Sequence, residues 1–208
     1  MPSSLFLHLL DGADLRHPDG ASAHSVLAQP KRFALLCYLA VAAPPEIFHR
    51  RERLLALLWP EAEPGNARAS LRNAVYFLRR SLGAEIVETR GADEVRLAPG
   101  RVRCDFAEVR TALDEGRFED ALRGYAGPLL PGFSVDDAPE WNEWLDRERD
   151  RLARRAGEAA EALAARSQAA GDLPGAVRWS RRAAELRPDD EAPVRRLMER
   201  LVAAGDRG

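Results

Sequence analysis

Apolar positions along the chain change period several times, and each change marks an element. In "LFLHLLDGADL" an apolar run meets Asp11-Gly12, and "RHPDGAS" supplies a second reversal. Residues 5–27 therefore read as short strands separated by turns, with "SVLA" leading into Gln29-Pro30. Pro30 suits the first position of a helix, because it has no N–H to lose there. Phe33, Leu35, Leu36, Tyr38 and Leu39 then predict a buried helix over 30–43, stopped by Pro44-Pro45. Leu54, Leu55, Leu57 and Leu58 predict a second over 50–59, ended by Pro60.

The third helix is predicted over 64–83, with Gly83 just past its end. At ~100° per residue, Val75, Leu78 and Leu82 fall within about 40° of Leu71, forming one apolar stripe. Ala69, Asn73, Tyr76 and Arg80 lie opposite, with Arg72 and Arg79 on a flank. Ile86-Val87 and Val95-Leu97 then bracket Arg90-Gly91-Ala92-Asp93 as a β-hairpin. Strands, three helices and a hairpin, in that order, make a winged helix-turn-helix.

From Asp105 the pattern is alanine, leucine and alternating charge. "FAEVRTALDEG" and "RFEDALRGY" predict an antiparallel helix pair turning at Gly116. "PLLPGFSVDDAP" reads as a loop. A long helix follows over about 139–170, then two more over 172–187 and 190–204, separated at Pro188. "GRFEDALRGY" parallels "GDLPGAVRWS", and Gly171-Asp172, Ala176, Ala183 and Pro188 fall at tetratricopeptide spacing. Two domains are expected: a winged helix over 1–104 and a tetratricopeptide-like helical domain over 105–208. The fold class is mainly α with small β. The final Gly-Asp-Arg-Gly reads as a turn before another helix, so the helical domain is expected to be truncated at its C-terminus, the chain being the front part of a longer protein.

Composition adds little to the fold and more to the function. Apolar residues make up 46%, enough for a core, and charged residues 31%. Lys31 is the only lysine, and with the abundant alanine this leans towards a bacterial origin. Cys37 lies in the apolar run "FALLCYLAV" and reads as a small buried hydrophobe; with only Cys104 beside it, no disulfide framework exists. A reducing cytoplasm is the simplest setting. No apolar run approaches the ~20 residues of a membrane span.

Net charge is -2, but residues 1–104 hold 14 basic against 11 acidic residues, and residues 105–208 hold 17 against 22. Between Glu63 and Glu85 there is no acid, while Arg68, Arg72, Arg79 and Arg80 all occur. A solvated helix face normally carries Glu beside Arg. His8, His17, His24 and His49 have no metal spacing, and there is no phosphate loop, nucleophile elbow or Ser/His/Asp set. Asp114-Glu115 and Asp136-Asp137 read as capping or solvated pairs. The expectation is therefore no enzyme, no cofactor and no metal site.

The stretch "HRRERLLALLWPEAEPGNARASLRNAVYFLRRSLG" resembles the DNA-binding domain of SARP-like bacterial regulators, which carry an OmpR/PhoB-type winged helix. The matching skeleton is Leu58-Trp59, Ala67-Arg68, Leu71, Val75, Leu78-Arg79-Arg80 and Leu82-Gly83. From Cys104-Asp105-Phe106 onward the chain resembles the bacterial transcriptional activator domain that follows in that family, with "APEWNEWLDRERDRL" as its aromatic-then-charged helix start. The resemblance implies transcription regulation through double-stranded DNA, with RNA polymerase and a second copy of the chain as candidate partners and no membrane.

On that resemblance, helix 64–83 is the recognition helix. Arg72, Asn73 and Tyr76 are expected at base edges; Arg68, Arg79 and Arg80 are expected at phosphates. Arg50 and Arg51, opening the second helix against its macrodipole, are further phosphate candidates. Arg90 would reach the minor groove, although Asp93 and Glu94 beside it would repel phosphate. Phe77 departs from the family's basic preference and is either packed on the helical domain or a partner contact. Trp141 and Trp144, three apart, are either core between repeats or a partner anchor. Trp59 is expected in the winged-helix core. The alternatives to DNA binding are an interaction scaffold that has lost it and the regulatory front end of a larger signalling protein.

Overall fold

The computed structural model describes residues 4–42, 47–203 and 205. The chain divides into two compact units. Unit 1 comprises residues 1–107 and 127–146; unit 2 comprises 108–126 and 147–208. A winged helix-turn-helix and a tetratricopeptide-like helical array are both present, so the fold is mainly α with small sheets.

Unit 1 opens with β1 (Leu5–His8), whose alternating Leu5 and Leu7 are buried. It pairs antiparallel with β2 (Asp14–Arg16) and parallel with β6 (Val102–Cys104). The β6 pairing joins residues almost 100 positions apart, and three residues leave too short a pattern to announce it in the sequence. "SVLA" is not a strand lead-in: His24–Leu27 form one helical turn, α1, with Val26 buried. Helix α2 (Pro30–Val41) starts at its proline as expected. The predicted stop at Pro44-Pro45 lies outside the described residues.

The second predicted helix begins one residue later than expected. His49–Arg50 form a short strand, β3, and α3 runs Arg51–Leu58. The cause is pairing: His49 and Arg50 lie opposite Val95 and Glu94 of the hairpin, which holds Arg50 extended. Helix α4 (Pro64–Leu82) packs on α2 and α3. The hairpin is β4 (Val87–Arg90) and β5 (Glu94–Leu97), turned at Gly91, which holds φ at +59°. Leu54, Leu58, Leu71, Val75, Leu78, Val87 and Val95 all lie in the core of this unit.

Residues 127–146 also belong to unit 1. Leu130 N–H donates to Leu9 O at 2.7 Å, Asp11 N–H donates to Pro128 O at 2.9 Å, and Leu10 bridges Leu129. This stretch holds five carboxylates and no basic residue. The net negative charge of residues 105–208 therefore falls within the unit that carries α4. Unit 1 has 14 basic and 17 acidic residues; unit 2 has 17 and 16.

In unit 2, α5 (Asp105–Asp114), from Glu108 onward, and α6 (Phe118–Gly124) form the predicted hairpin. Gly116 takes φ +72° at the turn, and a Cβ on Gly124 would meet Val109 at 3.0 Å, so glycine there lets the two helices close. Helix α7 (Pro139–Ala169) gives its turns beyond Asp146 to this unit, followed by α8 (Leu173–Leu186) and α9 (Glu191–Ala203). Ala156, Ala160, Ala164, Ala176 and Ala183 are buried. Asp172 caps α8 by accepting from Gly175 N–H at 2.9 Å. The buried Ser180 and the Arg200–Glu161 pair at 3.0 Å tie α7, α8 and α9 together.

Candidate nucleic-acid interface

Helix α4 separates its two faces cleanly. Ala67, Leu71, Ala74, Val75 and Leu78 are buried, and Leu82 is half-buried at the end. Opposite them Arg68, Arg72, Asn73, Tyr76 and Arg80 are exposed, with Tyr76 at 65%. The first turn carries no acid, and Glu63 makes no side-chain cap. Arg79 and Arg80 close the last turn, where positive charge suits the helix dipole.

Among the described residues, Arg68, Arg72 and Arg80 have no carboxylate partner. Arg68 and Arg72 lie one turn apart, and like charges so placed cost about 0.2–0.5 kcal/mol. Elsewhere the chain pairs arginines readily: Arg117 with Glu115 and Asp120, Arg155 with Asp114, Arg196 and Arg200 with Glu161. What sets α4 apart is that three such arginines stand together on a helix that carries no acid.

Several predicted site residues turn out to be engaged. Arg79 donates through Nε and Nη2 to the Val87 carbonyl at 3.0 and 2.8 Å, bracing α4 against the hairpin. Two of the guanidinium's donors are therefore committed to β4. Arg51 is half-buried, its backbone N–H donates to Asp93 O at 2.7 Å, and its Nε is buried without a hydrogen-bond partner. Arg50, in contrast, is exposed on β3.

In the hairpin, Arg90 bonds Glu94 at 2.5 Å and lies over the Phe48 ring, which Arg96 also approaches. The bonded Arg90 guanidinium holds the Glu94 carboxyl below the usual carboxylate range, with Arg50 adding to the effect and burial opposing it. The expected repulsion from Glu94 is therefore cancelled by the same arginine expected in the minor groove. His49, half a turn before α3, is pushed below the ordinary histidine range by burial and then by Arg53. It packs edge-on to Tyr38, whose hydroxyl accepts from Arg53 at 2.8 Å.

The aromatic candidates resolve as packing. Trp141 is 0% exposed and Trp144 5%. Trp141 packs edge-on to Phe133, and Trp144 packs on Tyr38, so both belong to the core of unit 1 rather than to a partner anchor or a seam between repeats. Phe77 is half-buried under the Arg32 guanidinium at 4.2 Å, which removes it as an open partner contact. Trp59 is half-buried rather than core. It lines a cleft of about 430 Å³ with Lys31, Ser70, Asn73, Asp136 and Asp137. Asn73 thus has an acidic flank on one side, a feature that the loop reading of 128–139 gave no reason to place beside α4.

A family model for the bacterial transcriptional activator domain matches residues 100–208. The chain belongs to this family. The match falls on the part of the chain that the sequence resemblance assigned to this activator domain. No curated protein sequence matches the chain. Among solved structures it is similar to Mycobacterium tuberculosis EmbR in complex with a low-affinity phosphopeptide, at 21% identity and a TM-score of 0.51. That match covers 97% of this chain and 66% of the EmbR chain, and at this identity it speaks for the fold alone. Among the described residues no group of His, Cys, Asp and Glu is placed to hold a metal ion, and no helix is long and apolar enough to cross a membrane.

Proposed function

We propose that this activator-domain protein regulates transcription by binding duplex DNA, with α4 as the helix that enters the major groove. The observation that carries the reading is the exposed set Arg68, Arg72 and Arg80, without carboxylate partners among the described residues and gathered on one acid-free helix. Arg72, Asn73 and Tyr76 take the base-reading role, because guanidinium and amide groups match guanine and adenine edges in the major groove. Arg68, Arg80 and Arg50 take phosphates, which set register without reading sequence. Arg90, paired to Glu94, contributes at the minor groove only by exchanging that partner. DNA contact is assigned to residues 1–104 and activation to 105–208, where RNA polymerase and a second copy of the chain are the partners to test.

One observation favours the scaffold alternative: the acid-rich 127–146 segment within unit 1. Selection of genomic fragments bound by the full chain separates the two readings. Arg72→Ala with Asn73→Ala is expected to flatten sequence preference, each lost bidentate contact removing about 1–3 kcal/mol of discrimination. Arg68→Ala with Arg80→Ala is expected to weaken binding to all fragments alike. No enrichment of any fragment would leave the scaffold reading standing instead.

A further inference from the structure

A second cationic surface lies entirely within unit 2, where α6 and α8 form a groove of about 450 Å³. Its apolar part is the buried Leu122 and the half-buried Trp179. Around them stand Arg123, Arg178, Arg181 and Arg182. Two glutamates also line the groove, and both are already matched: Glu119 pairs with Arg166, and Glu185 pairs with Arg182 at 3.5 Å. Arg182 donates in addition to the Tyr125 carbonyl at 3.1 Å, so it is fixed in place. Arg123 is held by Asp120.

Arg178 and Arg181 remain. Both are exposed, and among the described residues neither has a carboxylate partner. They sit one turn apart on α8 and flank Trp179, with the Arg178 guanidinium 5.1 Å from its ring. Unit 2 as a whole is nearly neutral, so this excess is local.

We propose that this groove docks an acidic segment of a partner protein, with one apolar side chain set against Leu122 and Trp179 and its carboxylates on Arg178 and Arg181. Charge complementarity selects the occupant: two uncommitted cations beside an apolar floor match spaced carboxylates around an apolar anchor. A nucleic-acid strand fits less well, because its evenly spaced phosphates would also meet Glu119 and Glu185 on the groove walls. Arginine and tryptophan are the side chains that most often dominate such contacts.

The test uses the full chain and a short synthetic peptide rich in Asp and Glu around a single leucine, labelled for fluorescence anisotropy. Controls are the same peptide with its acids changed to amides and single-stranded DNA. Tight binding of the acidic peptide alone is expected, with quenching of tryptophan emission. Arg178→Ala with Arg181→Ala should weaken it about tenfold, since two partly exposed ion pairs contribute roughly 1.4 kcal/mol together. Trp179→Leu should abolish the quenching while keeping part of the affinity. Equal binding of the amide peptide, no loss in the double arginine variant, or tighter binding of single-stranded DNA would each overturn the proposal. None of these outcomes bears on the α4 reading, whose residues lie in unit 1.

Discussion

Replacing Arg79 separates bracing from DNA contact within a single helix. Its guanidinium donates twice to the Val87 carbonyl, at 3.0 and 2.8 Å, linking the last turn of α4 to the first residue of β4. Hydrogen bonds from a charged donor are each worth about 1.5–3 kcal/mol. Because both donors share one acceptor, Arg79→Ala is expected to cost about 2 kcal/mol. For a chain of this size that is a fall in Tm of about 4–8 °C. Arg79→Lys keeps the charge but loses the planar fork, so it should destabilise nearly as much. Thermal melts followed by circular dichroism read the stability, and anisotropy on duplex DNA well below Tm reads the affinity. Both variants should melt early yet bind DNA like the parent, whereas Arg80→Ala should melt normally and bind weakly. An Arg79→Ala variant with unchanged Tm and the binding defect of Arg80→Ala would refute the brace.

Asp105 accepts from the buried Leu9 N–H at 2.9 and 3.0 Å, Leu10 N–H at 3.1 Å and Phe106 N–H at 2.7 Å. Asp105→Ala should cost about 2–5 kcal/mol by orphaning these donors, read by urea unfolding; a loss below about 1 kcal/mol would mean that water replaces the carboxylate. Glu148 is buried, and burial raises its pKa more than Arg151, Arg110 and Arg147 lower it. The folded state therefore holds this proton more tightly than the unfolded chain, and the stability it lends at low pH is lost as pH rises past about 4.3. Glu148→Gln should be the more stable form at about pH 7 by urea unfolding, with the gap closing towards about pH 4; a gap that widens at low pH contradicts the sign. Asp136→Asn with Asp137→Asn should raise duplex affinity roughly fivefold, as two exposed repulsions worth about 0.5 kcal/mol each are removed; unchanged affinity would place the acidic flank away from the DNA.

Long apolar periodicity made most of the helices legible. The stripe of Leu71, Val75 and Leu78 is buried as its spacing required, and the hairpin around Gly91 has the expected strands. What escaped was short or long-range. Strand β6 pairs three residues with a partner near the N-terminus. The 128–139 loop carries its own local signal of Pro and Gly, which says nothing about the unit to which it belongs. Site residues suffered from the same limit. Periodicity places Arg79 on a flank of α4, but only the position of the Val87 carbonyl shows where its guanidinium goes. Trp141 and Trp144 share a face at any reading, and only the neighbouring Tyr38 and Phe133 reveal that the face is inside. The missing acid between Glu63 and Glu85 was visible from the start, and the structure gave it meaning by leaving Arg68, Arg72 and Arg80 without partners.

The central claim, that α4 is a DNA-contacting surface, is tested most directly by the salt dependence of duplex affinity. With Arg68, Arg80 and Arg50 neutralising about three phosphates, log K should fall against log salt with a slope of about -2.7. Removing Arg68 and Arg80 together should bring the slope to about -0.9. A slope near zero for the intact chain, or one unchanged in the double variant, would contradict the account.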